Sequence, residues 1–215
     1  MELLTPIISI VVLIYSAILH EIAHGYVAYR LGDPTAKLLG RLTLNPIPHI
    51  DPIMSILIPA LLIFSGSPVI FGGAKPVPVD PFNLRDGRKD LALVSLVGPL
   101  TNISLAIIAS LLLHLFFPGS SFAEAYTSNI LGTTLGSIVM INLALAIFNL
   151  VPIPPLDGSK VFSLLLPPKM AESYMALGSI GMLILMALLF FPIAGFSLMD
   201  IIGNLMRACL SLLGF

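Results

Sequence analysis

Charge is what this sequence has least of. Of its 215 residues only 10% are Asp, Glu, Lys or Arg, against roughly 25% in an average soluble domain. That is too little to cover a water-exposed surface, which excludes a soluble globule. Ten basic and eleven acidic side chains leave a net charge of −1, so nothing in the composition points to a nucleic-acid partner. A single cysteine, Cys209, excludes a disulfide framework and a CxxC metal site. A basic leader is also lacking. Glu2 is the only early charge, and no small-x-small cleavage site follows the apolar run after it. That run is expected to be a retained first membrane helix rather than a signal peptide.

What is abundant is apolar: 57% of the residues are hydrophobic, as expected of a multi-pass membrane protein. Eighteen prolines and seventeen glycines accompany them, so part of the backbone must be irregular at membrane depth. Such backbone is tolerated only against protein or a water-filled cavity. Five apolar stretches stand out against the roughly 20 residues of a spanning helix: about 3–31, 52–65, 91–117, 130–151 and 174–193. A tail at 196–215 carries Asp200 and Arg207 and reads either as a sixth span or as a helix lying in the interface. The expected fold is an all-α polytopic bundle of about five to six transmembrane helices. It forms a single membrane-embedded domain over 1–215, with a core at about 3–165 and C-terminal helices at about 170–215.

Basic residues set the expected orientation. Arg30, Lys37 and Arg41 follow the first stretch; Arg85, Arg88 and Lys89 precede the third; Lys160 and Lys169 follow the fourth; residues 118–128 have none. With the basic segments in the cytoplasm, the N-terminus and 118–128 lie outside. A simple crossing by 52–65 would strand Arg85–Lys89 on the wrong side. The proline-rich run after it is therefore read as a re-entrant, strand-like return leg near 68–79.

The sharpest chemical signal is His20-Glu21-Ile22-Ala23-His24. Positions i and i+4 share one helix face, so both imidazoles can bind one metal ion. Glu21, offset by one position, can reach a water on that metal, whose pKa zinc lowers to about 7. The pattern is short and arises by chance in soluble proteins. Within a membrane span, however, each charge costs roughly 3 kcal/mol or more, which weighs against a mere polar patch pairing helices. A zinc hydrolase needs a third protein ligand and one open position. Asp157, after Pro152, Pro154 and Pro155, sits where the chain must unwind. It is read as that ligand in preference to an N-cap for a helix over 158–166, because an intramembrane zinc calls for an anionic partner.

Two motifs now stand in order: HExxH on an early membrane helix, and Asn149-Leu-Val-Pro-Ile-Pro-Pro-Leu-Asp157-Gly158. The segment Gly98-Pro99-Leu100-Thr101-Asn102 lies on a helix between them. Together they resemble the site-2 proteases, the zinc intramembrane metalloproteases of peptidase family M50. The resemblance covers about 10–165 and extends to a minimal form without PDZ or CBS domains. It implies one zinc per chain held by His20, His24 and Asp157, with Glu21 as general base. Asn149 matches the family asparagine that would hold the substrate backbone or the oxyanion; an interhelical hydrogen bond is an equal alternative. The implied activity is hydrolysis of peptide bonds within or near transmembrane segments of other membrane proteins. With His20 about 17 residues into its helix, roughly 25 Å from the outer end, the active site belongs in the cytoplasmic half of the bilayer. The alternative function is a non-proteolytic membrane scaffold that retains the fold and binds clients, against which an intact Glu21 speaks. A zinc or proton transporter ranks below both, since no repeat is present.

Other polar residues carry weaker signals. His49 is read as an interfacial loop histidine before a gate or auxiliary ligand. Asn102 either lines the site or bonds adjacent helices. Asn142, His114, Asp200 and Arg207 are read as packing or interface residues.

Overall fold

The computed structural model of the protein describes residues 4–57, 61, 64, 74–191 and 197–215. Nine α-helices are described: α1 (Leu4–Leu31), α2 (Thr35–Leu38), α3 (Gly87–Phe116), α4 (Phe122–Ser128), α5 (Ile130–Asn149), α6 (Asp157–Ser163), α7 (Pro168–Met175), α8 (Gly178–Phe190) and α9 (Leu198–Leu212). There is no β-strand among the described residues, and the protein is an all-α membrane protein.

Three helices, α1, α3 and α5, are long and apolar enough to cross a membrane, and the bent pair α7–α8 makes a fourth if counted as one span. The expected count of five to six spans is not confirmed among the described residues. The second stretch begins as a short π-helical segment, Pro52–Leu57, and most of its remainder lies outside the described residues. α8 and α9 contain 13 and 15 residues, about 20 and 22 Å at 1.5 Å per residue, short of a hydrocarbon core of roughly 30 Å. The strand-like reading of 68–79 falls outside the described residues at 68–73, while 74–79 is non-helical and joins no ladder. Residues 118–128 hold α4, started by a capping box between Ser121 and Glu124.

Small residues let the three long helices approach closely. Ser16, Gly25 and Ala28 of α1, Ala92, Ser95 and Gly98 of α3, and Gly136 and Ala146 of α5 are all buried. One apolar cluster joins Ala106, Ala109 and Leu113 to Ala125, Leu135, Val139 and Leu143, with Met206 and Leu210 packed against it. A second, at the other end of α3, joins Val94 to Ala28 and Leu84. Between these clusters on α3 lies Asn102, part of a buried polar layer with Ser16 and His20 of α1 and Asn142 of α5.

α3 stays helical through Pro99. Pro99 has no N–H to give the carbonyl of Ser95, and its ring presses on the preceding turn. In membrane helices neighbouring groups take up such freed backbone.

Candidate metal centre

His20 and His24 are one turn apart on α1, and their rings meet edge to face with centroids 4.6 Å apart. Their Nε2 atoms are 2.9 Å apart, and each is 3.1 Å from Oδ2 of Asp157. Among the described residues they form the one group of three or more potential ligands. Asp157 comes from the far end of the sequence, delivered by the proline-broken link between α5 and α6. It is the first residue of α6 and not its cap, which is Leu156. The N-cap alternative is therefore set aside, and the helix ends at Ser163 rather than 166.

The hydrogen-bond network fixes what the histidines present to one another. Asn142 donates from Nδ2 to the Ile138 carbonyl at 2.9 Å and to Ser16 Oγ at 2.8 Å. A carbonyl can only accept, so the Asn142 amide orientation is set, and its Oδ1 accepts from Asn102 Nδ2 at 2.7 Å. That in turn points Asn102 Oδ1 at His20 Nδ1, 2.5 Å away, which must be the donor. His24 Nδ1 donates to the Val94 carbonyl at 2.6 Å, one residue before the carbonyl that Pro99 leaves without a helical partner. Both protons are thus on Nδ1, and both Nε2 lone pairs face Asp157 Oδ2. Three acceptors pointed at one another call for a cation between them.

The donor set fits zinc. Two imidazoles and a carboxylate are the ligand types of a catalytic zinc, for which tetrahedral bonds of about 2.0–2.1 Å separate donors by about 3.3 Å. The observed 2.9–3.1 Å requires an opening of only a few tenths of an ångström. The backbone of α3 comes up against the same atoms at Gly98: a Cβ there would lie 2.5 Å from His24 Nε2 and 2.6 Å from His20 Nε2. Only a residue without a side chain leaves that face open. The second carboxylate oxygen of Asp157, Oδ1, accepts from Lys160 Nζ at 3.1 Å, leaving Oδ2 as the oxygen that meets the histidines. Arg88 steadies the far end of α6 by donating to the carbonyls of Ser163 and Leu166.

The remaining predicted residues are placed differently. Glu21 is half-buried beside His20, and its Oε2 accepts from the Val77 backbone N–H at 2.6 Å. Asn149 donates to the Leu145 carbonyl of its own helix at 3.0 Å and is not drawn into the ligand group. His49 is only 3% exposed on its loop. It donates from Nε2 to the Thr43 carbonyl at 3.0 Å and does not join the ligands. Asn102 does both things anticipated for it, since it orients His20 and bonds α3 to α5. Asn142, expected to be a packing residue, reaches the candidate ligand group through Asn102. Gly98 and the Val94 carbonyl were not foreseen; the Gly-Pro pair was visible, but not which helix would face it.

The profile of peptidase family M50 matches residues 8–189. A Bacillus subtilis (strain 168) protein provisionally named a zinc metalloprotease, YwhC, is 38% identical over 88% of this chain and 83% of its own length. Rip2 of Mycolicibacterium smegmatis, provisionally named in the same way, is 32% identical over 82% of this chain but only 64% of its own length. Rip2 of Mycobacterium tuberculosis (strain H37Rv) is 32% identical over 66% of this chain and 51% of its own. No solved structure is significantly similar to the chain. A profile match over most of the sequence, together with these relatives, establishes that the chain belongs to peptidase family M50, the site-2 protease family of zinc metalloproteases.

Proposed function

We propose that the protein is an intramembrane zinc endopeptidase that cuts transmembrane segments of other membrane proteins. The observation that carries this reading is the convergence of His20, His24 and Asp157 among three membrane helices, with Glu21 on the next position of α1. Bound there, zinc would supply Lewis-acid polarisation of the scissile carbonyl and lower the pKa of its water to about 7. Glu21 takes the proton of the attacking water and returns it to the leaving amine. Asn149 has two N–H bonds on Nδ2 and gives one to Leu145; the other is assigned to the substrate backbone or the oxyanion. A helical substrate hides its carbonyls in its own hydrogen bonds and must unwind before attack.

The lipid bilayer is the medium, and a membrane protein with a transmembrane segment is the partner class. The positive-inside rule supports an N-terminus outside and a site in the cytoplasmic half of the membrane.

The test is cleavage of a single-span reporter carrying a helix-weakening Gly or Asn, by purified protein in detergent with zinc. Wild type is expected to cut and a chelator to stop it, while Glu21→Gln loses about 100-fold or more in rate with its zinc retained. Cleavage by Glu21→Gln at the wild-type rate would remove the assigned base. Zinc bound at one equivalent without any cleavage would favour the client-binding scaffold.

A further inference from the structure

Glu21 is held from a direction that the metal centre does not explain. Residues 74–83 run past α1 as a strap tied at several points. Lys75 N–H donates to the His49 carbonyl at 2.8 Å. The Arg41 guanidinium donates to the carbonyls of Lys75 and Pro76 at 2.6 and 3.3 Å. Val77 N–H donates to Glu21 Oε2 at 2.6 Å. At the other end Asp33 accepts from Asp80 N–H at 2.7 Å and from Asn83 Nδ2 at 3.1 Å.

The local sequence, Lys75-Pro76-Val77-Pro78, gives this arrangement its specificity. Neither proline has an N–H, so Val77 carries the one backbone donor of its tripeptide, and the rings exclude a helix. The Val77 side chain is buried against Gly25 of α1, where a Cβ would lie 2.9 Å from Val77 Cγ1. Arg41 is 6% exposed. A guanidinium withdrawn from water to bind two consecutive carbonyls fixes the plane of the peptide that leads into Val77.

We infer that Arg41 is a positioning residue for the reaction: through the Lys75–Val77 backbone it holds one oxygen of Glu21 and so commits the other, Oε1, to the proton. This rests on the reading of Glu21 as general base. Without the tie the carboxylate is free to turn, and its two oxygens exchange places. Arg41 touches neither zinc ligand nor substrate, so its loss acts on the rate of the chemical step and not on binding.

The experiment uses the full chain with zinc, comparing Arg41→Met and Arg41→Lys with wild type. Two quantities are read besides zinc content: kcat and KM on the reporter, and hydrogen exchange of the Val77 amide. In Arg41→Met, kcat is expected to fall about ten- to hundredfold, with KM and the zinc equivalent unchanged and Val77 exchanging faster. Arg41→Lys, which keeps the charge and can satisfy one carbonyl, is expected to recover most of the rate. It also carries the exchange test at smaller amplitude should Arg41→Met not fold. A parallel loss of zinc, KM and kcat, or a Val77 amide protected equally in wild type and variants, would overturn the proposal. Absence of cleavage by wild type would remove the protease reading alone, because the exchange comparison still decides whether Arg41 acts on the Val77–Glu21 contact.

Discussion

The segments 151–157 and 74–83 both owe their irregular backbone to proline, and both deliver one group to the same turn of α1, yet they are held by different forces. The first is held mainly by packing. Gly181 of α8 lies so close to the Pro154 carbonyl that a Cβ would come within 2.0 Å of it, and Gly158 lies as tightly against Leu150, 2.2 Å from its carbonyl oxygen. Tyr174 adds one hydrogen bond to the Pro152 carbonyl at 2.7 Å. The second is held by polar ties from Arg41, Glu21 and Asp33. The difference matches the tolerance of what each delivers. A metal ligand, the role proposed for Asp157, must be placed to about 0.2 Å, which shape can enforce. A hydrogen-bond donor such as the Val77 amide works over a range of about 2.7–3.2 Å, which side-chain ties can meet.

The largest expected effect comes from the packed side. Asp157→Ala is expected to lower zinc affinity by more than the roughly 100-fold that an outer-sphere partner is worth, with cleavage abolished; metal analysis after gel filtration reads this directly. Next is Gly98→Ala, whose methyl would lie 2.5–2.6 Å from both Nε2 atoms. Zinc binding is expected to fail while circular dichroism keeps its helical content, and a full zinc equivalent in this variant would contradict the geometry given for α3. Asn102→Ala removes the acceptor that sets the His20 tautomer and is expected to cost about 10–100-fold in zinc affinity, measured by chelator competition.

The smallest effect lies on the tethered side and depends on pH. Burial by itself raises the Asp33 carboxyl, but the Thr35 hydroxyl, the Asp80 and Thr35 amides and Asn83 together hold its pKa below the ordinary carboxylate value. A depressed pKa stabilises above the unfolded value of about 3.9 and loses its effect as pH falls through that value toward the folded one. Protection of the Asp80 amide is therefore expected at neutral pH and lost below about pH 4, and Asp33→Asn is expected to bring that loss to neutral pH. Equal protection in wild type and Asp33→Asn at pH 7 would show that the strap does not depend on this carboxylate.

Much of the centre was legible because its parts obey local rules. The i, i+4 spacing of His20 and His24 fixes them on one helix face whatever surrounds them, and three prolines before Asp157 forbid the helix that would carry it away. The strap was legible as irregular backbone but not as a partner of Glu21. That contact joins residues 56 positions apart, and no periodicity spans such a distance. The number of crossings was not legible in the sequence, because hydropathy scores composition. It does not register the break between α7 and α8 or the limited length of α9.

What the sequence determined by itself is the membrane as solvent, the first helix with its paired imidazoles and nearby carboxylate, and the places where helices must end. Those follow from transfer free energy, from 3.6 residues per turn and from the missing N–H of proline. Only the tertiary structure brought Asp157 against the two histidines, linked Asn142 to His20 through Asn102, set Gly98 against both Nε2 atoms and tied Val77 to Glu21. Each of these depends on how closely two helices or loops approach, which is set by small residues where elements pack and by side-chain ties along the strap, and not by any one stretch of chain.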